Sequence, residues 1–218
     1  GRTANETTDR VVAGKLDFAY TNHLFTPKRH KLGWRVLARQ DTQGIRGQVV
    51  VLDRSPVTTL HELAGEPVAF ANPYGPTGYY LPMDMLLRAG VNVTPLFAGN
   101  QEAAMGQLES GQAVAAGVNN QVMADFAQRR RLKYRVLAES KRYFDLAVMA
   151  SPRISAADGK KVRQAFIDMA GDPEGLRILQ QAAQSLGLSS VRGFVAAEDR
   201  DYANYRAFFK KTRVPLNE

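Results

Sequence analysis

The sequence "ANPYGPTGYYLP", residues 71–82, joins a predicted strand to a predicted helix. The segment before it, PVAF (67–70), is typical of a short buried strand, and LPMDMLLRAG (81–90) has the spacing of an amphipathic helix. The first amides of a helix have no intrahelical partner, and the helix dipole favours negative charge near them. A strand, a glycine-containing turn and a helix in this order are therefore suited to holding an anion.

Two residues of the turn carry this hypothesis. Thr77 can donate a hydrogen bond from its hydroxyl, and Gly78 has no side chain to keep a ligand away from the backbone. Pro76 suits a turn or a first helical position but has no N–H to offer. Most strand-to-helix turns hold no ligand, so the alternative is that Thr77 is only a helix cap.

Predicted strands and helices alternate along the chain. Such alternation favours a mostly parallel sheet with helices on both faces, which is an α/β fold. The predicted strands lie at 16–20, 33–40, 47–53, 67–70, 93–99, 113–118, 133–139 and 145–152. The predicted helices lie at 7–14 (the end of a helix), 60–65, 81–90, 100–111, 120–132, 155–171, 172–187 and 199–214.

The chain is basic and contains no cysteine. Its net charge is +8 and its pI is about 9.8, which favours an anionic partner, although basic residues also serve simply to solvate a surface. The densest basic run, RRRLKYR (129–135), lacks the interleaved aromatic residues of an RNA-binding sheet, so nucleic acid is disfavoured. The absence of cysteine excludes disulfides and thiolate sites.

The sequence shows no catalytic or cofactor motif. There is no Ser-His-Asp order, no phosphate-binding glycine loop with lysine and no dinucleotide fingerprint. The three histidines, His23, His30 and His61, are too scattered for a metal site. We therefore expect a binding protein without cofactor or metal, not an enzyme.

Three stretches of the sequence carry a further signal together: SPVTTLHELAGEPVAFANPYGPTGYYLPMDMLLRAGVN (55–92), FAGNQEAAMGQLESGQAVAAGV (97–118) and YRVLAESKRYFDLAVMA (134–150). They resemble the phosphate/phosphite/phosphonate-binding proteins of ABC importers. The upstream VVAGKLDFAYTNHLF (11–25) is similar to a further segment of that family. The resemblance covers nearly the whole chain and implies a type II periplasmic binding fold, with two α/β lobes that close on a ligand in a cleft.

The resemblance also implies a set of ligand-binding residues. In the family an oxyanion sits on the N-terminus of the helix after the turn, which maps to the region of Gly75, Thr77 and Gly78. The neighbouring aromatic Tyr79 is a further candidate to line the cleft. From the other lobe the matching positions are Tyr20, Thr21 and Asn22, and a histidine position of the family is occupied here by Gln101. The pair Asn119 and Asn120 faces the ligand or caps a helix.

The chain departs from the family pattern at several of these positions. A serine and a threonine of the family's turn are Gly75 and Pro76 here, which removes two hydroxyls, and an aspartate position is Val114. Each lost hydrogen bond to a charged group is worth roughly 1.5–3 kcal/mol. Asn119 and Asn120 are neutral where phosphonate binders often place acidic groups, which argues against an aminophosphonate.

The expected organisation places residues 1–56 and 146–218 in lobe one and 57–145 in lobe two. Lobe one is expected to be incomplete, because only about ten residues precede Gly14 where the family has a βαβ portion. The expected function is that of a monomeric periplasmic receptor that captures a small phosphate- or phosphonate-like anion for the permease of an ABC importer. The alternative is the ligand-sensing domain of a membrane receptor such as a histidine kinase, or, more distantly, the effector domain of a transcription regulator.

Overall fold

The structure, a computed structural model, describes residues 4–185 and 192–217. Its strands are β1 (Phe18–Thr21), β2 (Arg35–Gln40), β3 (Gly47–Leu52), β4 (Pro67–Phe70), β5 (Thr94–Phe97), β6 (Ala115–Asn119), β7 (Tyr134–Glu139), β8 (Ala147–Ala150) and β9 (Phe194–Ala196). Its α-helices are α1 (Ala4–Val12), α2 (Pro27–His30), α3 (Leu81–Arg88), α4 (Gln101–Ser110), α5 (Asn120–Arg130), α6 (Ala156–Asp168), α7 (Pro173–Ser185) and α8 (Ala203–Phe209). Short 3₁₀ turns lie at His61–Leu63 and Asp199–Tyr202, and a π turn lies at Pro76–Tyr80.

The chain forms two compact units. Unit 1 comprises the residues up to Gly44 together with Tyr143–Lys210. Unit 2 comprises Ile45–Arg142 together with Lys211–Asn217. β3, which the sequence analysis assigned to lobe one, belongs to unit 2 because its backbone pairs with β6 and β7.

Unit 1 is built on a four-stranded sheet with the order β1-β8-β2-β9. All three neighbouring pairs in it are antiparallel. Helix α6 packs on this sheet, with Val162 and Phe166 against the buried Leu37 and Val148. Gly159 allows the helix to come close, since a Cβ there would lie 3.5 Å from Leu37 Cδ2. A second apolar cluster stacks the Phe25 ring on the rings of two buried tyrosines, Tyr202 and Tyr205.

Unit 2 is built on a five-stranded mixed sheet with the order β5-β4-β6-β3-β7. β4 is parallel to both β5 and β6, whereas β3 is antiparallel to both β6 and β7. Strand β3 is buried along its whole length. Helices α4 and α5 supply Met105, Met123 and Phe126 to a core that also contains Val50 and Ala69. The 71–82 turn therefore begins at the C-terminal end of β4, a strand that is paired on both sides in this sheet.

Most predicted elements are present, with shifted ends. The helix predicted at 60–65 is only a 3₁₀ turn, His61–Leu63, and α2 and β9 were not predicted. The helix predicted at 172–187 begins as expected, with the Asp172 carboxylate accepting from the Gly175 amide at 2.7 Å, and its last two residues lie outside the described part of the chain. The expectation of a mostly parallel sheet is wrong for unit 1 and holds only for β4, β5 and β6 in unit 2.

Candidate functional site

The turn after β4 leaves helix-start donors without internal partners. The carbonyl of Gly75 accepts from the amides of both Tyr79, at 3.0 Å, and Tyr80, at 3.2 Å. Because Pro76 has no N–H, the first amides without an intrahelical acceptor are those of Thr77 and Gly78. π turns of this kind occur frequently at functional sites. The structure thus contains the strand, the turn and the helix start that the sequence predicted.

The preceding loop is braced by Asn72. Its carboxamide oxygen accepts from the amide of Tyr74 at 3.0 Å and from that of Gly75 at 2.9 Å. This side-chain turn fixes the entry of the chain into the helix. It also occupies the Gly75 amide, so Gly75, one of the predicted site residues, has no backbone donor left for a ligand.

The turn lies directly against β3. A Cβ on Gly47 would lie 2.8 Å from Leu81 Cβ and 3.2 Å from the Thr77 carbonyl oxygen, so only glycine allows this approach. Thr77 is consequently buried, with 5% of its surface exposed. Its hydroxyl belongs to the same helix start as the unpaired amides, and such a group of donors favours an acceptor.

Gln101 is brought to the same turn from helix α4. Its carboxamide oxygen accepts from the Asn119 amide at 2.7 Å, which assigns the opposite end of the side chain as the NH₂ group. That Nε2 lies 3.5 Å from the position that a Cβ on Gly78 would occupy. Helix α4 is itself fixed at its start, where the Asn100 side chain accepts from the Ala103 amide at 2.8 Å. The predicted residues Thr77, Gly78 and Gln101 therefore come together.

Asn119 and Asn120 have structural roles. The Asn119 carboxamide oxygen accepts from the Gln121 amide at 2.9 Å and caps α5. The Asn120 carboxamide oxygen accepts from the Arg46 amide at 2.7 Å, and its own amide donates to the Arg46 carbonyl at 3.0 Å. Each carboxamide oxygen is thus bonded to a backbone amide, and the NH₂ group of each side chain remains as a donor.

Tyr79 belongs to an aromatic cluster beside the turn. Its ring makes edge-to-face contacts with Phe70, at 5.3 Å between centroids, and with Phe97, at 5.2 Å. Burial and the neighbouring Tyr80 raise the pKa of Tyr79 above its usual value, so its phenol remains neutral. Phe97 is 45% exposed, so the cluster has an accessible apolar edge.

Three predicted residues lie in unit 1, at the end of β1. Tyr20 is 39% exposed and contacts the Phe194 ring edge-to-face at 5.9 Å. Thr21 and Asn22 are buried, and the Thr21 hydroxyl accepts from the His23 amide at 3.1 Å. Burial and the charge of Arg29 lower the pKa of His23 to about 4, so this histidine is neutral.

The sequence analysis missed Asp145. Its carboxylate accepts from the Asn22 carboxamide at 3.4 Å. Burial raises the pKa of Asp145 to about 6, and burial together with the nearby charge of Asp145 raises the pKa values of Tyr20 and Tyr205. The sequence does show an aspartate just before a buried apolar strand, which marks Asp145 as unusual. Its position beside Asn22 depends on the pairing of β8 with β1, which the sequence did not reveal.

The described residues contain neither a metal-binding cluster nor a membrane-spanning helix. Within residues 4–185 and 192–217, no three histidine, aspartate or glutamate side chains are grouped so that they could hold a metal ion. Over the same residues, no helix has both the length and the apolar character needed to cross a bilayer.

The antiparallel sheet of unit 1, the mixed sheet of unit 2 and the helices packed on them form an α/β protein of the type II periplasmic binding fold, and solved structures share it. PhnD1 from Prochlorococcus marinus, in complex with methylphosphonate, is similar with a TM-score of 0.74 and 17% identity, over 95% of this chain and 82% of that one. A binding protein component of an ABC phosphonate transporter from Pseudomonas aeruginosa is similar with a TM-score of 0.74 and 13% identity, over 93% and 70%. The aliphatic sulphonate binding protein SsuA from Escherichia coli is similar with a TM-score of 0.66 and 13% identity, over 96% and 78%.

The amino-acid sequence shows which protein family the chain belongs to. Residues 1–202 match the family described as "ABC transporter, phosphonate, periplasmic substrate-binding protein". The chain belongs to this family, which confirms the resemblance found in the sequence. It is a family of substrate-binding transport proteins of the periplasm, not a family of enzymes. No curated protein matches the chain.

Proposed function

We propose that this chain is the periplasmic receptor of an ABC importer and captures a small phosphate- or phosphonate-like oxyanion at the 76–80 turn. One observation supports this most directly. The bond from the Asn119 amide to Gln101 leaves the Gln101 NH₂ group facing Gly78, beside the unpaired amides of the helix start. Four donors would then serve one oxyanion: the amides of Thr77 and Gly78, the Thr77 hydroxyl and Gln101 Nε2.

All four donors are neutral. The site therefore recognises an anion by hydrogen bonds and the helix dipole instead of a counter-charge. Hydrogen bonds to a charged group are worth roughly 1.5–3 kcal/mol each, so the loss of one donor should weaken binding about tenfold or more. The net charge of +8 adds a long-range attraction that speeds the approach of an anion.

A thermal-shift titration tests the anion site. Phosphate, phosphite, methylphosphonate, a short alkylsulfonate and small carboxylates are compared on the wild type, on Thr77→Ala and on Thr94→Ala. Thr94 is the control because its exposed hydroxyl donates only to the Gly65 carbonyl in the same unit. We expect at least one oxyanion to stabilise the wild type and Thr94→Ala, with an affinity about tenfold or more lower in Thr77→Ala. No stabilisation by any of them, or equal stabilisation of both variants, would refute the proposal.

The importer role needs a test of its own. A cell without this chain should lose high-affinity uptake of the anion identified above. Re-expression of the wild type should restore uptake, and re-expression of Thr77→Ala should not. Normal uptake in the deletion strain would instead favour a sensing role for the same binding site.

A further inference from the structure

The last described segment of the chain runs along helix α3 toward the 76–80 turn. Residues Lys211–Asn217, here called the returning segment, belong to unit 2. At the C-terminal end of α3, the Arg88 side chain donates from its NH₂ group to the Lys211 carbonyl at 2.7 Å. Val214, in the middle of the segment, is buried with 3% of its surface exposed. The returning segment is therefore packed as a part of unit 2.

Asn217 connects the returning segment to the turn by two hydrogen bonds. Its side-chain Nδ2 donates to the Pro73 carbonyl at 3.0 Å, in the loop that leads into the turn. Its backbone amide donates to the Tyr80 hydroxyl at 3.1 Å, at the last residue of the turn. Thr77 and Gly78, whose amides are the proposed anion donors, lie between these two points of the chain. One residue from a distant part of the sequence thus holds both ends of the loop.

Tyr80 links this contact to the backbone of the turn. Its side chain is fully buried, so the ring is held by close packing. Its amide donates to the Gly75 carbonyl at 3.2 Å, and the same oxygen accepts from the Tyr79 amide at 3.0 Å. The result is a π turn, a rare geometry that is frequent at functional sites. A bond to the Tyr80 hydroxyl therefore restrains the turn whose first amides have no intrahelical acceptor.

We propose that Asn217 is a positioning residue of the anion site. By holding Pro73 and Tyr80, it keeps the amides of Thr77 and Gly78 in the direction that an oxyanion requires. This role rests on the function proposed above, because it concerns the same site. Donors that are fixed before the ligand arrives lose less conformational freedom on binding, so their positioning raises the affinity. Thermodynamic linkage then requires that a bound oxyanion strengthens the attachment of Asn217 in return.

Isothermal titration with phosphate, phosphite and methylphosphonate tests the role of Asn217. Asn217→Leu removes the donor to the Pro73 carbonyl with little change of side-chain volume, and Tyr80→Phe removes the acceptor of the Asn217 amide. Each variant should bind about threefold to tenfold more weakly, which is the effect of one hydrogen bond. Every oxyanion that binds the wild type should be weakened by the same factor, because Asn217 acts on the donors and does not touch the ligand.

Two control variants of unit 2 separate positioning from stability. Thr212→Val removes the hydrogen bond from the Thr212 hydroxyl to Asp84, which lies in the returning segment but beyond the turn. Tyr134→Phe removes a phenol hydroxyl at the opposite end of the sheet, where β7 pairs with the last residue of β3, whereas the turn lies against the first. Both controls should bind as the wild type does, although Thr212→Val should unfold at a lower temperature because it loses a hydrogen bond.

Hydrogen exchange of the Asn217 amide measures the coupling in the reverse direction. The tightest of the three oxyanions, at a concentration that saturates the wild type, should slow this exchange about threefold or more. The reference is the Gly65 amide, which donates to the Asn92 carbonyl at 2.8 Å before β4 begins, whereas the turn follows the other end of that strand. Equal slowing at both amides would show a general stabilisation of the unit and would overturn the coupling.

Failure of the positioning role and failure of the anion site give different results. If the wild type binds none of the three oxyanions, both are refuted. If the wild type binds one of them, Thr77→Ala binds it about tenfold or more weakly and Asn217→Leu binds it as the wild type does, the positioning role alone is overturned. An equal loss of affinity in Asn217→Leu and Thr212→Val would assign the effect to a looser segment, and unequal losses among the oxyanions would mean that Asn217 touches the ligand. Either result would also overturn the positioning role.

Discussion

The orientation of one carboxamide decides the chemistry offered at the 76–80 turn. Gln101 presents either an acceptor or a donor to Gly78, depending on which end of the side chain bonds to the Asn119 amide. Since that backbone N–H can only donate, the Gln101 oxygen must face it, and the NH₂ group faces the turn. A glutamate here would keep the first contact and replace the donor with a negative oxygen.

Gln101→Glu should therefore fold normally and lose the anion. The bond to the Asn119 amide is retained, so the midpoint of unfolding should change little, whereas the lost donor and the added repulsion should weaken oxyanion binding about a hundredfold or more. Calorimetric titration with the anion that stabilises the wild type measures this. Gln112→Glu, at an exposed position of the same unit, makes the same charge change and should bind nearly as the wild type does. Comparable losses in both variants would show a general electrostatic effect instead.

Asp145 makes the stability of unit 1 depend on pH in an unusual direction. Burial raises its pKa from 3.8 to about 6, so the folded chain holds this proton more tightly than the unfolded chain does. The stabilisation is fully present below about pH 4 and is lost as the pH rises through about 6. His23 acts in the opposite sense, because its folded pKa is lowered to about 4, and its contribution is present above pH 6.5 and lost as the pH falls through 4.

Asp145→Asn isolates the first effect, since His23 is present in both proteins. The free energy of unfolding of the variant, relative to wild type, should rise by about 1–2 kcal/mol between pH 4 and pH 7, a value reduced for the partial exposure of the carboxylate. Urea unfolding at a series of pH values measures the difference. Asp41→Asn, at an exposed carboxylate of the same unit, is the control. A difference that does not vary with pH would contradict the assignment.

At the scale of elements, the position of the 76–80 turn depends on a close approach between α3 and β3. Gly47 is the contact point, and any larger residue would push on Leu81 and on the Thr77 carbonyl. Both partners belong to rigid elements, so neither moves cheaply.

Gly47→Ala should lower the free energy of unfolding by about 1–3 kcal/mol and weaken anion binding, because the turn must move away from the strand. Gly106→Ala is a contrasting control inside helix α4, where an added Cβ would meet nothing within 4 Å. It should stabilise the protein by about 0.5–1 kcal/mol and leave binding unchanged. Chemical denaturation and anion titration of both variants check this; a neutral Gly47→Ala would mean that the packing at this corner is looser than the structure shows.

The alternation of strands and helices predicted strand direction better than it predicted sheet order. β1 and β2 do run in the same direction, as a helical connection requires, but β8 inserts between them and is antiparallel to both. In the same way β6 and β7 run in the same direction, and β3 separates them. Local sequence specifies a crossover, whereas the inserted strand comes from a distant part of the chain, so no local pattern reveals it.

The candidate site was predictable to a similar extent. Thr77 and Gly78 follow from the turn chemistry, and Gln101 was reached only through the family resemblance, because its position beside Gly78 depends on how α4 packs on the sheet. The hydrogen bond from the Gly75 amide to Asn72 could have been predicted from the sequence, because asparagine three residues before glycine is suited to a side-chain turn. Asp145 required strand pairing and could not be placed from sequence.

At the scale of the whole molecule, the last described segment of the chain belongs to unit 2. After unit 1 is complete, residues Lys211–Asn217 return to unit 2 and pack against α3, the helix that begins at the turn. Asp84 organises this contact. Its carboxylate accepts from the Thr212 hydroxyl at 2.9 Å, from the Arg213 amide at 2.8 Å and from Arg88 Nε at 2.6 Å.

Asp84→Ala should therefore destabilise unit 2. Asp84 is 5% exposed, and its removal leaves two partly buried donors and a half-exposed guanidinium without their acceptor, which should cost about 1–3 kcal/mol of unfolding free energy. Glu66→Ala, an exposed acidic residue of the same unit, should stay within about 0.5 kcal/mol of wild type. Urea unfolding compares them, and protease sensitivity at 211–217 shows whether the segment has been released. An equal effect of both variants would mean that the returning segment is held mainly by its other contacts, such as the bond from the Asn217 amide to the Tyr80 hydroxyl at 3.1 Å.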